Sequence, residues 1–254
     1  MNLKDVRAIV TGAASGIGRC IALELASSGA QVVGGDIDTD GLKELETLGA
    51  DLEGKIYGEY VDVANETDVK NFTEQAFKKL GYANTLVNNA GILRDGLLVT
   101  REEEGWLRKL PTAQWKKVLD VNLTGSFLMA REFAATLMEM NIAPSLIVNI
   151  SSVTSSGNPG QSNYSASKAG LDAQTRTWAL ELAPYGFRVA GIAPGLTETP
   201  MLSYVSPEAQ AEMISKIPLH RMAKPYEIWL AMRFIVECDY FTGSVIEVNG
   251  GARF

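Results

Sequence analysis

The chain has 254 residues, of which 46% are apolar and 21% charged, with a net charge of −7. That length suits a single α/β domain with one sizeable core. The acidic balance argues against the basic face that a nucleic-acid binder presents.

Two cysteines, Cys20 and Cys238, give neither a disulfide framework nor paired zinc-ligand spacing. No metal is therefore expected. A reducing compartment fits this cysteine usage. The first dozen residues lack the build of a signal peptide, and no apolar run reaches the roughly 18–20 residues that span a bilayer. The expected location is the cytoplasm, with no membrane partner.

In chain order, residues 7–11 form an apolar run that predicts the first strand. Directly after it come Gly12, Ser15, Gly16, Ile17 and Gly18. Glycines at this point let the backbone turn tightly and approach a diphosphate. The helix that follows, over 18–28, points its free N–H groups and positive dipole end at the phosphates. A second strand over 31–36 ends in Asp36, whose carboxylate can accept from both adenosine ribose hydroxyls and would repel a 2′-phosphate. Ser15, Ile37 and Asp38 supply no basic group for that phosphate. NAD is thus expected over NADP.

A strand over 55–62 brings Asp62 and Val63 towards the adenine. A helix over 66–80 and a strand over 85–89 lead into Asn88-Asn89-Ala90-Gly91. Residues 94–110 break the rhythm with a charged run at 101–104 and Trp106, and predict a hairpin near the cleft. A long helix over 112–138 carries Asn122. A strand over 146–150 ends at Ser151 and Ser152, and a helix over 163–183 carries Tyr164 and Lys168. After a strand over 187–192, residues 194–224 hold four prolines and a short helical stretch at 206–216. They predict a substrate lid, in which Met201, Leu202 and Tyr204 are candidates to line an apolar pocket. A helix over 225–236 and a strand over 244–248 complete the chain. Met129, Met138, Trp115 and Trp178 fall at helical core spacing, and His220, the sole histidine, reads as a lid or interface residue.

Seven strand-like runs with helices between them predict one α/β domain over 1–254. Its sheet is mainly parallel, doubly wound and seven-stranded, a Rossmann-type arrangement with helices on both faces. Ligands in such sheets bind beyond the carboxyl ends of the strands. Tyr164 and Lys168, four residues apart on a helix, share one face. A free tyrosine, with a pKa near about 10, is a poor base at neutral pH. A neighbouring ammonium is expected to lower that pKa into a working range. A serine hydroxyl at the end of the preceding strand can stabilise charge on a substrate oxygen.

Taken together, Thr11-Gly12-x-x-x-Gly16-Ile17-Gly18, Asn88-Asn89-Ala90-Gly91, Asn122, Ser151-Ser152, Tyr164-x-x-x-Lys168 and Pro194-Gly195-x-x-x-Thr199 resemble the short-chain dehydrogenase/reductase family over nearly the whole chain. The nearest subgroup resemblance is to 3-oxoacyl-carrier-protein reductases. The resemblance implies that Tyr164 is the general acid/base and that Lys168 lowers its pKa and holds the nicotinamide ribose. It further implies that Ser152 orients the substrate oxygen, while Asn122 fixes a water linked to Lys168. Asn88, Ala90 and Gly91 are implied on the adenosine and ribose side, with Pro194, Gly195, Thr197 and Thr199 around the nicotinamide.

The usual count of residues before the tyrosine selects Ser151, whereas strand register selects Ser152. Register is the better guide, because loops rather than strands absorb deletions. The stretch between Gly91 and Asn122 is longer than the family's usual one. The expected activity is hydride transfer between NAD(H) and a secondary alcohol or ketone by a homotetramer. Alternatives are a 3-oxoacyl thioester reductase docking its acidic carrier through Arg131, Arg176 and Arg188, a nucleotide sensor without turnover, and an epimerase or dehydratase.

Overall fold

The computed structural model describes every residue except Glu104, Ser203, Tyr204 and Phe254. In chain order its elements are β1 (Arg7–Thr11), α1 (Gly16–Ser27), β2 (Gln31–Asp36), α2 (Thr39–Leu48), β3 (Lys55–Tyr60), α3 (Glu66–Leu80) and β4 (Thr85–Asn88). Then follow β5 (Val99–Arg101), β6 (Leu107–Lys109), α4 (Thr112–Leu119), α5 (Gly125–Met140), β7 (Ser145–Ile150) and α6 (Ser162–Leu182). β8 (Phe187–Pro194), α7 (Pro207–Ser215), α8 (Pro225–Glu237) and β9 (Val245–Val248) complete the order.

Seven strands make one sheet in the order β3-β2-β1-β4-β7-β8-β9, with every pairing parallel. The order reverses next to β1, and the crevice at such a switch point is where ligands bind. Because successive side chains alternate faces, the strands feed two separate cores. Ala8, Val10, Val32, Leu146 and Val148 pack with Ile21, Leu25, Leu42, Trp229 and Met232 of α1, α2 and α8. Ile9, Val33, Leu86, Ile147 and Val189 pack with Phe72, Phe77, Met129 and Phe133 of α3 and α5 on the other side. Both faces being covered, the strands read as continuous apolar runs rather than alternating ones.

Several boundaries differ from the sequence expectation. α2 is an additional helix: Asp38 caps it, accepting from Gly41 N at 3.0 Å, and Leu42 and Leu45 bury its apolar face. β3 ends at Tyr60, so Asp62 and Val63 lie in the loop beyond it, where Asp62 accepts from Ala64 N at 2.9 Å. The expected long helix is divided. Residues Asp120–Thr124 form a π-helical turn between α4 and α5, and such turns recur at functional sites. Met129 is buried as expected. Met138 is not a core residue, being 38% exposed near the end of α5. The 94–110 segment does form a hairpin, with β5 and β6 antiparallel. Tyr204, expected in the lid, lies outside the described residues.

Candidate active site

One groove of about 490 Å³ runs along the carboxyl ends of the strands. Of the residues singled out from the sequence, Gly12, Ser15, Gly16, Ile17, Asp36, Asp62, Val63, Ala90 and Gly91 line it. So do Ser152, Tyr164, Lys168, Pro194, Gly195, Thr197 and Thr199.

At one end the chain turns from β1 into α1. Gly12 and Gly16 adopt φ of 66° and 54° there, a left-handed region that a side chain strains. Gly18 is a glycine for another reason. A Cβ on it would lie 2.1 Å from the Gly12 carbonyl oxygen, so it packs the turn from beneath and does not face the groove. Asn89 donates through Nδ2 to the carbonyls of Thr11 and Gly12, both at 3.0 Å. The Thr11 hydroxyl accepts from the backbone N–H of Asn89 and Ala90, both at 3.1 Å. The glycine turn is thus tied to the end of β4. Asn89 lines the groove, whereas Asn88 does not. Asn88 is directed inward, donating to Asn149 Oδ1 at 2.9 Å, so its place as a cofactor contact is corrected to a support beneath the site. Adjacent strand residues point to opposite sides, and the doubled asparagine concealed which of the two faces outward.

Asp36 lines the groove with one oxygen accepting from Ala14 N at 3.0 Å and the other from Asp38 N at 3.1 Å. Each oxygen keeps further acceptor capacity. The nearby guanidinium of Arg19 is held on Glu44 at 2.8 Å and on the Ala14 carbonyl, and does not line the groove.

At the other end stand Ser152, Tyr164 and Lys168. Lys168, 3% exposed, donates from Nζ to the Ile150 carbonyl at 2.6 Å and sits 5.6 Å from the centre of the Tyr164 ring. Ser152 Oγ pairs with Thr154 Oγ1 at 3.0 Å and interacts with the Tyr164 phenol. Ser151 directs its hydroxyl at the Lys168 backbone carbonyl, 3.4 Å away. Side by side on one strand end, the two serines face different partners, and Ser152 is the one turned to the tyrosine.

Burial, not the lysine, dominates the ionisation of the protein alone. Desolvation pushes the Tyr164 phenol up to about 12; Ser152 opposes this, and the Asp95 carboxylate adds to it. The lowering expected from Lys168 together with a bound nicotinamide concerns the loaded site; in the chain by itself burial is the larger effect. Burial also brings Lys168 down to about 8, against the opposing pull of Asp172. A lysine that sheds part of its charge is a weaker perturber of its neighbour.

Asn122 is wholly buried behind Gly91. It accepts from Ile92 N at 2.8 Å and donates to Ile92 O at 3.1 Å and Ser167 Oγ at 3.2 Å. A Cβ on Gly91 would lie 3.4 Å from Asn122 Oδ1 and 3.7 Å from Lys168 Nζ. The side chain of Asn122 thus holds the loop after β4 in place. His220 is an exposed turn residue outside the groove. Two of the three arginines considered for carrier docking are already engaged within the chain. Arg188 donates to the carbonyls of Ile235 and Phe241 at 2.8 and 3.0 Å, closing off the end of α8, while Arg131 is paired with Glu66 and Glu132.

The groove residues missed at sequence level include Arg94, Asn158 and Gln161. Their one local signal is position, since they lie in the segments just after Gly91 and just before Tyr164.

The whole chain has close counterparts. The family model described as Enoyl-(Acyl carrier protein) reductase matches residues 12–253. The 3-oxoacyl-acyl-carrier-protein reductase of Thermotoga maritima is 40% identical, the alignment covering 99% of each chain. A solved short-chain type dehydrogenase/reductase from Mycobacterium marinum superposes with a TM-score of 0.89 at 30% identity, over 98% of this chain and 96% of that one. A 3-ketoacyl-(acyl-carrier-protein) reductase from Brucella melitensis, complexed with NADH, gives a TM-score of 0.86 at 29% identity over 99% and 100%.

Proposed function

Since the chain belongs to the short-chain dehydrogenase/reductase family, we propose that it moves a hydride between NAD(H) and a secondary alcohol or ketone, with Tyr164 as its acid/base. The observation that carries this reading is one continuous groove, with a diphosphate-type glycine turn and Asp36 at one end and Ser152, Tyr164 and Lys168 at the other.

The groove suits a dinucleotide. The glycine turn leaves no room for side chains: a Cβ on Gly12 would come within 2.9 Å of the Ala90 backbone. α1 opens at Gly16 with its N–H groups free for phosphate. Asp36 favours a free ribose 2′-hydroxyl over a 2′-phosphate, in keeping with the NADH held by the Brucella relative.

When bound, the nicotinamide supplies or accepts the hydride, and in its oxidised form its positive charge favours the phenolate. The chain's own residues handle the oxygen and the proton. Ser152 donates to the substrate oxygen and steadies charge developing there. Tyr164, kept protonated by burial, gives its phenolic proton to that oxygen in the reducing direction and takes it back in the oxidising one. Lys168 stands one turn along, fixed on the end of β7. Asn122 is a positioning residue, acting through Ile92 and the loop that bears Gly91.

The finer assignment is reduction of a 3-oxoacyl thioester, in line with the Thermotoga relative and with Met201, Leu202 and Met213 at the groove. The 94–110 hairpin starts from the groove residues Leu93 and Arg94 and leaves Trp106 52% exposed, so it serves as a rim of the substrate entrance. Tyr226, Leu230 and Phe234, each almost half exposed and one turn apart on α8, supply an apolar stripe for a homotetramer. Among the described residues no helix is long and apolar enough to cross a membrane. We place the enzyme in the cytoplasm.

The test is a spectrophotometric assay of NADH and NADPH oxidation against simple ketones and 3-oxoacyl esters and thioesters. Turnover with NADH supports the reading. Tight NADH binding with no turnover on any ketone or alcohol replaces it with a sensor.

A further inference from the structure

The loop joining Ser152 to Tyr164 carries polar side chains that this chemistry does not use. Gln161, 7% exposed, ends that loop at the start of α6. Its Nε2 donates to Asp95 Oδ2 at 2.9 Å, and its Oε1 accepts from Asn158 Nδ2 at 3.1 Å. A carboxylate can only accept. Asp95 therefore fixes which end of the Gln161 amide faces it, leaving the amide oxygen for Asn158. Asn158 must meet that oxygen with its own nitrogen. Polarity runs one way from Asp95 through Gln161 to Asn158. Each amide nitrogen keeps one hydrogen that these bonds do not use.

Gln161 and Asn158 line the groove, whereas Asp95, which holds Gln161, is exposed to solvent and does not. Its segment is firmly held. Gly96 N donates to Gly160 O at 2.7 Å, Asn163 Nδ2 to Arg94 O at 2.8 Å, and Gln114 Nε2 to Asp95 O at 3.1 Å.

We propose that Gln161 and Asn158 recognise a second acceptor oxygen on the substrate, and that Asp95 is the positioning residue that keeps their donors turned into the groove. The substrate class is a ketone with an ester or thioester carbonyl one carbon beyond the reacting group. A ketone without that second oxygen leaves both donors facing apolar surface, which costs part of their desolvation. This inference rests on the ketone-reductase reading above and sharpens its substrate.

The experiment compares ethyl acetoacetate with 2-heptanone, which matches it in chain length but lacks the ester oxygens. The full chain and NADH are used, and kcat/KM is read for each ketone. The wild type is expected to prefer the keto ester by about tenfold or more. Asp95→Asn, whose amide lets Gln161 turn over, should lower that preference about tenfold, read as the ratio of the two kcat/KM values, in which any change at Tyr164 common to both ketones cancels. Asp95→Glu should restore most of it. Gln161→Met, similar in volume but without the amide, should repeat the Asn result, and unchanged NADH affinity shows that each variant is folded.

Equal wild-type activity on the two ketones overturns the inference and leaves the reductase reading standing. So does an equal loss on both ketones in Asp95→Asn. Absence of turnover with any ketone overturns the reductase reading and the inference with it.

Discussion

Lys168 donates from Nζ to the carbonyl oxygen of Ile150 at 2.6 Å, fastening α6 to the last residue of β7. The bond holds an amine against a strand end where it is almost without solvent, and burial lowers its pKa from 10.5 to about 8. A group whose folded pKa is depressed binds fewer protons in the native state than in the unfolded state between those two values. Stability therefore rises with pH across that window, and below about pH 8 the cost of charging the buried amine is fully present.

Lys168→Met should accordingly gain most over the wild type at neutral pH, and the gap should close between pH 8 and 10.5. The pH-dependent part is on the order of 3 kcal/mol. Denaturant unfolding of both proteins at pH 7 and near pH 10 measures it. A gap that stays constant with pH would show that Lys168 is charged in the fold at no cost.

Tyr164→Phe should lower kcat by about a thousandfold while NADH affinity, followed by fluorescence titration, stays within about twofold. Because burial holds the phenol high, at about 12 in the protein alone, ketone reduction should persist through neutral pH. Alcohol oxidation, which needs the phenolate, should rise with pH. The paired serines separate their roles in the same assay. Ser152→Ala should cost about a hundredfold in kcat/KM, whereas Ser151→Ala should cost only a few-fold. The reverse order would assign the substrate oxygen to Ser151.

Asp36→Ser removes the carboxylate that opposes a 2′-phosphate. The ratio of kcat/KM for NADH to that for NADPH should fall at least about tenfold. Arg19 is anchored on Glu44 and on the carbonyl of Ala14, whose N–H donates to Asp36, so Glu44→Gln added to Asp36→Ser should free it towards that phosphate and lower the ratio further. An unchanged ratio in Asp36→Ser would remove Asp36 from cofactor choice.

Gly18→Ala forces a Cβ to within 2.1 Å of the Gly12 carbonyl and 2.5 Å of Asn89 Nδ2. The turn must shift or the helix start must give way, at a cost of about 1–3 kcal/mol. Thermal unfolding should show a lowered Tm, and NADH affinity should drop with it. Ala at Gly105, which has nothing within 4 Å but a φ of 88°, should cost less and leave NADH affinity unchanged.

The parts of this protein that the sequence determined are those set by neighbours along the chain. A helix places residues four apart on one face whatever surrounds it, so Tyr164 and Lys168 were legible as a pair. A glycine turn between a strand and a helix declares itself in the same way, as does an acidic residue closing the second strand. Long apolar runs announced the buried parallel sheet. The tertiary structure decided what depends on side chains far apart in sequence. It settled that Asn89 rather than Asn88 faces the groove, and that Ser152 rather than Ser151 faces the tyrosine. It brought Asp95 to Gln161 across 66 positions. It also set how strongly burial acts on Tyr164 in the chain by itself, because desolvation sums over every atom packed around a group, and no local spacing records that sum.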